Sequence, residues 1–173
     1  MTFPLAPMCS LISTLTLALL ALPVVGVVGV AAGARLLVAP TLVVVLIYLW
    51  VWARFRPSAF VVHPHTLEVI WPLKRRELRR DEFADVRLID RQELRRQVGW
   101  GLRVGAGGLW GGFGWLWTAR RGIVQMYVSR VDRFVWIERG NARPWLITPE
   151  QPEAFVRALS NEGTRTAHAS SPA

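Results

Sequence analysis

The chain has 173 residues, 52% of them hydrophobic, and a formal net charge of +9. Its one cysteine, Cys9, excludes an intrachain disulfide and a cysteine-based zinc cluster and reads as an inert thiol. Of the charged side chains (21 basic and 12 acidic), only Arg35 lies in the first 53 residues. A soluble domain would spread charge over its whole surface, so this chain is built for two environments.

Residues 1–10 carry no Lys or Arg and read as a short N-terminal segment on the cytoplasmic side. Leu11 to Ala34 and Leu36 to Ala53 are uncharged apolar runs of 24 and 18 residues. A helix crosses a bilayer core with about 20 apolar residues, in a range of roughly 17–25. Residues 11–54 are therefore expected to form a two-helix transmembrane hairpin with a tight turn at Gly33-Ala34-Arg35. A cleaved signal peptide is a poor fit, because the basic n-region is missing and the apolar run is too long. Pro23 and Pro40 are expected to bend the helices, which membrane packing tolerates. Gly26 and Gly29 do not make a G-x-x-x-G association motif. Tyr48, Trp50 and Trp52 fall where an interfacial aromatic belt belongs, and Arg54 and Arg56 follow at once. The basic excess after the second run places the rest of the chain in the cytoplasm, under an inner (plasma) membrane.

After residue 56 the pattern changes to short apolar segments broken by turns. Ala59 to Val62 and Thr66 to Trp71 read as strands around a turn at His63-Pro64-His65, and Arg75 to Arg91 as two short strands. Gln97 to Arg121 holds eight glycines and four tryptophans, a density of glycine that opposes regular structure. Gly122 to Arg130, Asp132 to Arg139 and Arg143 to Ile147 read as an antiparallel meander. Thr148 is an N-cap candidate, with Pro149 at the first helical position and Gln151 in a capping box, for a helix running to about Ser160. Residues 161–173 read as a disordered tail.

Short strands followed by one helix are the element order of a pleckstrin-homology (PH) barrel. Three segments carry a closer likeness: Gly107 to Trp117 (GGLWGGFGWLW), Asp132 to Glu138 (DRFVWIE) and Leu146 to Phe155 (LITPEQPEAF). On these the chain resembles a bacterial family of membrane-anchored PH-like domain proteins over about Pro57 to Leu159. The resemblance implies a mainly-β PH-like barrel with a C-terminal α-helix over residues 57–160. It implies hardly anything about activity.

Chemistry is sparse. No phosphate-binding loop is present, and the glycine run lacks the flanking strand and helix that a nucleotide fold requires. His63 and His65 have no third metal ligand, and the first hairpin loop lacks the basic motif of phosphoinositide-binding PH domains. No nucleophile–base set is recognisable, so no enzyme, cofactor or metal is expected. The basic run from Lys74 to Arg80 suits anionic lipid or a solvated face; nucleic acid is not expected for a membrane-tethered domain. The candidate contact residues are Trp100, Arg103, Trp110, Phe113, Trp115, Trp117, Arg120 and Arg121. Tryptophan suits the membrane interface and arginine the phosphates above it. A packed core or a protein-binding surface are the competing readings of this segment. The expected function is a non-enzymatic membrane-tethered module that contacts head groups, scaffolds an unknown protein partner or self-associates. The alternative is a subunit of a transport or envelope-maintenance complex assembled through the transmembrane helices.

Overall fold

The computed structural model describes the backbone of residues 1–169 and the side chains of residues 1–160. A short strand, β1 (Thr2–Pro4), precedes two apolar helices, α1 (Ser10–Ala31) and α2 (Val38–Arg54). Then come β2 (Ala59–Val62), β3 (Thr66–Trp71), β4 (Lys74–Arg79) and β5 (Phe83–Ile89), a helix α3 (Arg91–Val98), and β6 (Gly101–Gly107). β7 (Gly112–Thr118), β8 (Gly122–Val128), β9 (Phe134–Arg139), β10 (Trp145–Ile147) and the helix α4 (Pro152–Ala169) complete the chain.

The strands form two sheets, one in the order β1-β2-β3-β4 and one in the order β5-β9-β10-β8-β7-β6. The PH-like arrangement of two facing sheets with a final helix is present, but the sheets do not close into a hydrogen-bonded barrel. One core lies between them. Phe60, Leu67, Val69 and Trp71 meet Tyr127, Ile137 and Trp145 there, and Phe155 of α4 covers the open corner. A second core lies on the far face of the larger sheet, where Val124, Met126, Phe134, Trp136 and Leu146 pack beneath Leu94 and Val98 of α3.

Several expectations are corrected. Residues 1–10, read only as a short segment, contain a strand: β1 pairs antiparallel with β2, Phe3 opposite Phe60. The last three strands are not a meander. β10 lies between β8 and β9, parallel to one and antiparallel to the other. Trp145, Leu146 and Ile147 are all buried, and a strand that is apolar on both faces belongs in the middle of a doubly covered sheet. The glycine-rich segment is not irregular, since β6 and β7 pair over seven residues. Gly105 and Gly114 face each other there with φ of +139° and +127°, and a β-carbon on either would meet the opposite carbonyl oxygen at 2.4–2.5 Å. Glycine at these positions lets the ribbon kink without breaking it.

The final helix begins at Pro152 rather than Pro149. Thr148 does not cap it; its Oγ1 accepts the Ser129 N–H at 2.9 Å. The helix continues to Ala169, well into the segment read as disordered, and residues 170–173 lie outside the described residues. Helix α3 went unread, although Asp90 and Glu93 are a capping pair: the Asp90 carboxylate accepts the Glu93 N–H at 2.7 Å.

The apolar helices pack closely as a hairpin. A β-carbon at Gly26 would lie 2.3 Å from Thr41 Oγ1, and one at Gly29 would lie 2.5 Å from Leu37. Pro23 lacks the N–H that would bond the Leu19 carbonyl one turn earlier. The Tyr48 hydroxyl donates to that carbonyl at 2.9 Å, so α2 repairs the gap that proline opens in α1. Tyr48→Phe should therefore lower the unfolding midpoint of the full chain in detergent, by an amount equivalent to about 1–3 kcal/mol for an orphaned carbonyl. In a Pro23→Ala background, where the helix satisfies Leu19 itself, the same change should be near neutral. Equal effects in both backgrounds would refute the repair.

Candidate membrane and partner contact site

Two segments of the domain come up against the base of the helical hairpin. The first is the β6–β7 turn, Gly108-Leu109-Trp110-Gly111, closed by the Gly108 N–H on the Gly111 carbonyl at 2.9 Å. Thr16, buried on α1, binds this turn with one hydroxyl. It donates to the Gly108 carbonyl at 2.9 Å and accepts the Trp110 N–H at 3.0 Å. Gly108 has φ of +91°, and a β-carbon there would meet the Leu15 side chain at 2.7 Å, so the position favours glycine. Trp110 has φ of +61°, a left-handed conformation that costs of order 1–3 kcal/mol in a bulky residue. Its indole borders an apolar cleft of about 440 Å³ together with Leu20, Pro23, Tyr48, Leu49 and Trp52.

The second is the β3–β4 turn at the end of α2. Trp71 Nε1 donates to the Phe55 carbonyl at 3.3 Å. Lys74 sits near Arg54 and Arg76, and its pKa is lowered, first by desolvation and then by those two positive charges. Leu73, at the tip of the turn, is among the most exposed apolar side chains of the domain. Crowded cations beside an apolar tip are suited to a surface of anionic head groups.

Between these anchors the β6–β7 ribbon has two unlike faces. Leu102 pairs with Trp117 and Val104 with Trp115, and all four project into an exposed apolar patch. On the opposite face Arg103 pairs with Leu116. The candidate residues thus fall into separate places. Phe113 is fully buried in the core between the sheets, which removes it from any contact surface. Trp110 faces the apolar helices. Trp100, Trp115 and Trp117 are 75%, 43% and 57% exposed. Arg120 is tied to α3 by an Nη1–H donated to the Arg96 carbonyl at 2.8 Å, and Arg121 stands 3.7 Å from Glu138. Arg103 has no hydrogen bond or ion pair among the described residues. No group of three or more His, Cys, Asp or Glu side chains that could hold a metal occurs among the described residues.

Sequence reasoning missed the residues that hold the N-terminus down. Ser129 Oγ donates to the Ala6 carbonyl at 2.6 Å and lies 3.2 Å from Thr148 Oγ1. The Ala6 N–H donates to the Thr148 carbonyl at 2.9 Å. Nothing local marked Thr2 to Ala6 as a strand and its continuation, since the partners are more than fifty residues away.

Comparison with known proteins agrees with this fold. The family model described as Bacterial PH domain matches residues 59–163. No curated protein and no solved structure matches the chain.

Thr16 carries the test of the docked turn. Thr16→Val keeps the shape and removes both hydrogen bonds, which should cost about 1–3 kcal/mol in unsatisfied backbone groups. Amide exchange at 108–111 should speed up in the full chain in detergent while the β2–β3 hairpin stays protected. Unchanged exchange at the turn would show that packing alone holds it.

Proposed function

Because this chain belongs to the Bacterial PH domain family, we propose that it is a non-enzymatic, membrane-tethered PH-like module, held by its helical hairpin against the cytoplasmic face of the inner membrane. There it contacts lipid head groups and presents the Leu102–Val104–Trp115–Trp117 patch to lipid or to a protein partner. One observation carries the reading. α1 and the span Arg35–Arg54 that contains α2 are long and apolar enough to cross a membrane, and only 11% and 6% of their most apolar windows are buried. Leu17, Val25, Leu46 and Leu49 each expose more than half their area. An apolar surface of that extent is not compatible with water.

The lengths fit. At 1.5 Å per residue α1 extends about 33 Å and α2 about 25 Å, close to the ~30 Å of a hydrocarbon core. β1 enters α1 from the same domain that α2 leads into, so both ends of the hairpin lie on one side. Arg54, Lys74 and Arg76 stand at that end, each contributing about 1 kcal/mol of attraction when close to anionic lipid. Arg35 is the only charge at the other end. The alternative, a complex assembled through the helices, has less support, because Gly26 and Gly29 are already used within the hairpin.

Two measurements test this. A green fluorescent protein fused after Ala173 in a bacterial host should fluoresce, and alkaline phosphatase at the same place should be inactive; active phosphatase would reverse the topology. In a Cys9→Ser background, a spin label at Trp117→Cys in lipid nanodiscs should be more accessible to oxygen than to a water-soluble nickel reagent. The opposite order would remove lipid contact at the ribbon and leave the protein-partner role.

A further inference from the structure

A groove of the domain lies away from the exposed tryptophan patch, on the far face of the six-stranded sheet. It encloses about 550 Å³ between α3 and the ends of β6, β8 and β9, within the usual size of small-ligand sites. Its floor is apolar, formed by Met126, Val128, Phe134 and Leu146. Its rim carries four arginines, Arg91, Arg95, Arg103 and Arg130, and no Asp or Glu lines it.

We propose that this groove binds one anionic phospholipid from the adjoining leaflet, with the lipid phosphate on the arginine rim and the start of an acyl chain on the apolar floor. The proposal rests on the membrane-tethered reading only for the supply of lipid.

The electrostatics favour an anion. Arg91 and Arg95 are four residues apart on α3, neighbours on one helix face, where like charges repel. Neither side chain has an ion pair or hydrogen bond among the described residues, and neither does Arg103. The Arg103 guanidinium folds back over the ribbon, so that a β-carbon at Gly112 would meet its Nη1 at 3.0 Å and Met126 Cε at 3.2 Å. There it spans the boundary between rim and floor, and desolvation lowers its pKa. Arg130 is the one rim arginine with partners. Asp132 lies 3.9 Å away, and its Nη2 donates to the carbonyls of Arg133 and Pro149 at 3.3 and 3.4 Å. A planar guanidinium binds a phosphate through two parallel hydrogen bonds. A free inorganic anion would leave the apolar floor unused, and an acidic peptide gives no reason for it. A phospholipid uses both parts.

The position supplies the lipid. Arg130 follows Ser129, whose carbonyl accepts the N–H of Cys9 immediately before α1. Arg103 overlies Gly112, next to the turn whose Gly108 packs on Leu15 of α1. The rim therefore meets the base of the apolar hairpin at two separate points. Trp100, on the same rim and 75% exposed, has the amphipathic character of an interfacial residue.

The full chain in non-ionic detergent, titrated with dioctanoyl phosphatidylglycerol and followed by native mass spectrometry, tests the site apart from membrane topology. One lipid per chain should bind about tenfold or more tighter than dioctanoyl phosphatidylcholine. Arg103→Gln should abolish that preference. Arg91→Gln with Arg95→Gln should do the same on an exposed helix face, where folding is not at risk. Arg75→Gln with Arg76→Gln, at the other basic surface, should leave it intact. Equal binding of the two lipids, or loss of the preference only in the Arg75 and Arg76 variant, would overturn the site. So would displacement by inorganic phosphate or hexaglutamate at concentrations comparable to the lipid, which would indicate a soluble anion or an acidic peptide. The fusion-protein topology can fail without affecting this result, and this result can fail with the topology intact.

Discussion

Ser129 and Thr148 face each other at 3.2 Å inside the domain, and the rest of the architecture follows from what they hold. Thr148 Oγ1 accepts the Ser129 N–H, the Thr148 carbonyl accepts the Ala6 N–H, and Ser129 Oγ donates to the Ala6 carbonyl. Both side chains are buried, where an unpaired hydroxyl or amide costs more than a made hydrogen bond returns. The network therefore fixes the path of the N-terminal segment. β1 is pinned to the sheet edge, Phe3 stacks edge-on against Phe155 at 5.2 Å, and the chain leaves for α1 from a defined point. A PH-like domain on a flexible tether would sample many orientations. Here α1 starts four residues after a buried clamp, and Thr16 is hydrogen-bonded to the domain again two turns later.

The β6–β7 ribbon is the consequence on the other side. It lies at the edge of the six-stranded sheet, beyond the reach of the smaller sheet, and so has no layer to cover its outer face. Phe113 is still under cover. Trp115 and Trp117, farther from the turn on the same strand, are not. The glycine pair at 105 and 114 lets the ribbon bend to its docking position while keeping its ladder. One ribbon thereby offers an apolar patch on one face and the Arg103 side of a basic groove on the other. Both surfaces are carried by a ribbon whose turn is hydrogen-bonded to Thr16 of α1.

The arginines are not equivalent, although the composition makes them look so. Arg120 donates to the Arg96 carbonyl, and Arg121 stands 3.7 Å from Glu138. Arg79 is paired with Asp81 and Arg139 with Glu82. Arg76 and Arg139 flank the Trp145 ring at 5.3 and 5.9 Å, where cation–π attraction contributes on the order of 1 kcal/mol. Among the described residues, Arg54, Lys74 and Arg76 near the base of the hairpin and Arg91, Arg95 and Arg103 on the groove rim have no carboxylate partner.

By itself the sequence determined the features that depend on local pattern. The charge-free runs made the helical hairpin legible, because bilayer thickness sets a length that few other structures need. Alternation and turn residues gave β2, β3, β8, β9 and β10, and the LITPEQPEAF segment gave the strand-to-helix corner even though the helix starts three residues later than its caps suggested. Tertiary structure decided whatever depended on partners far along the chain. The pairing of β1 with β2 joins residues nearly sixty apart. β10 was inserted between β8 and β9 because only the middle of the sheet buries both of its faces. The sorting of eight candidate side chains into core, helix contact, capping and exposed surface followed from where the smaller sheet ends. No local signal records that edge, since the burial of a tryptophan depends on which layer lies above it and not on the residues beside it in sequence.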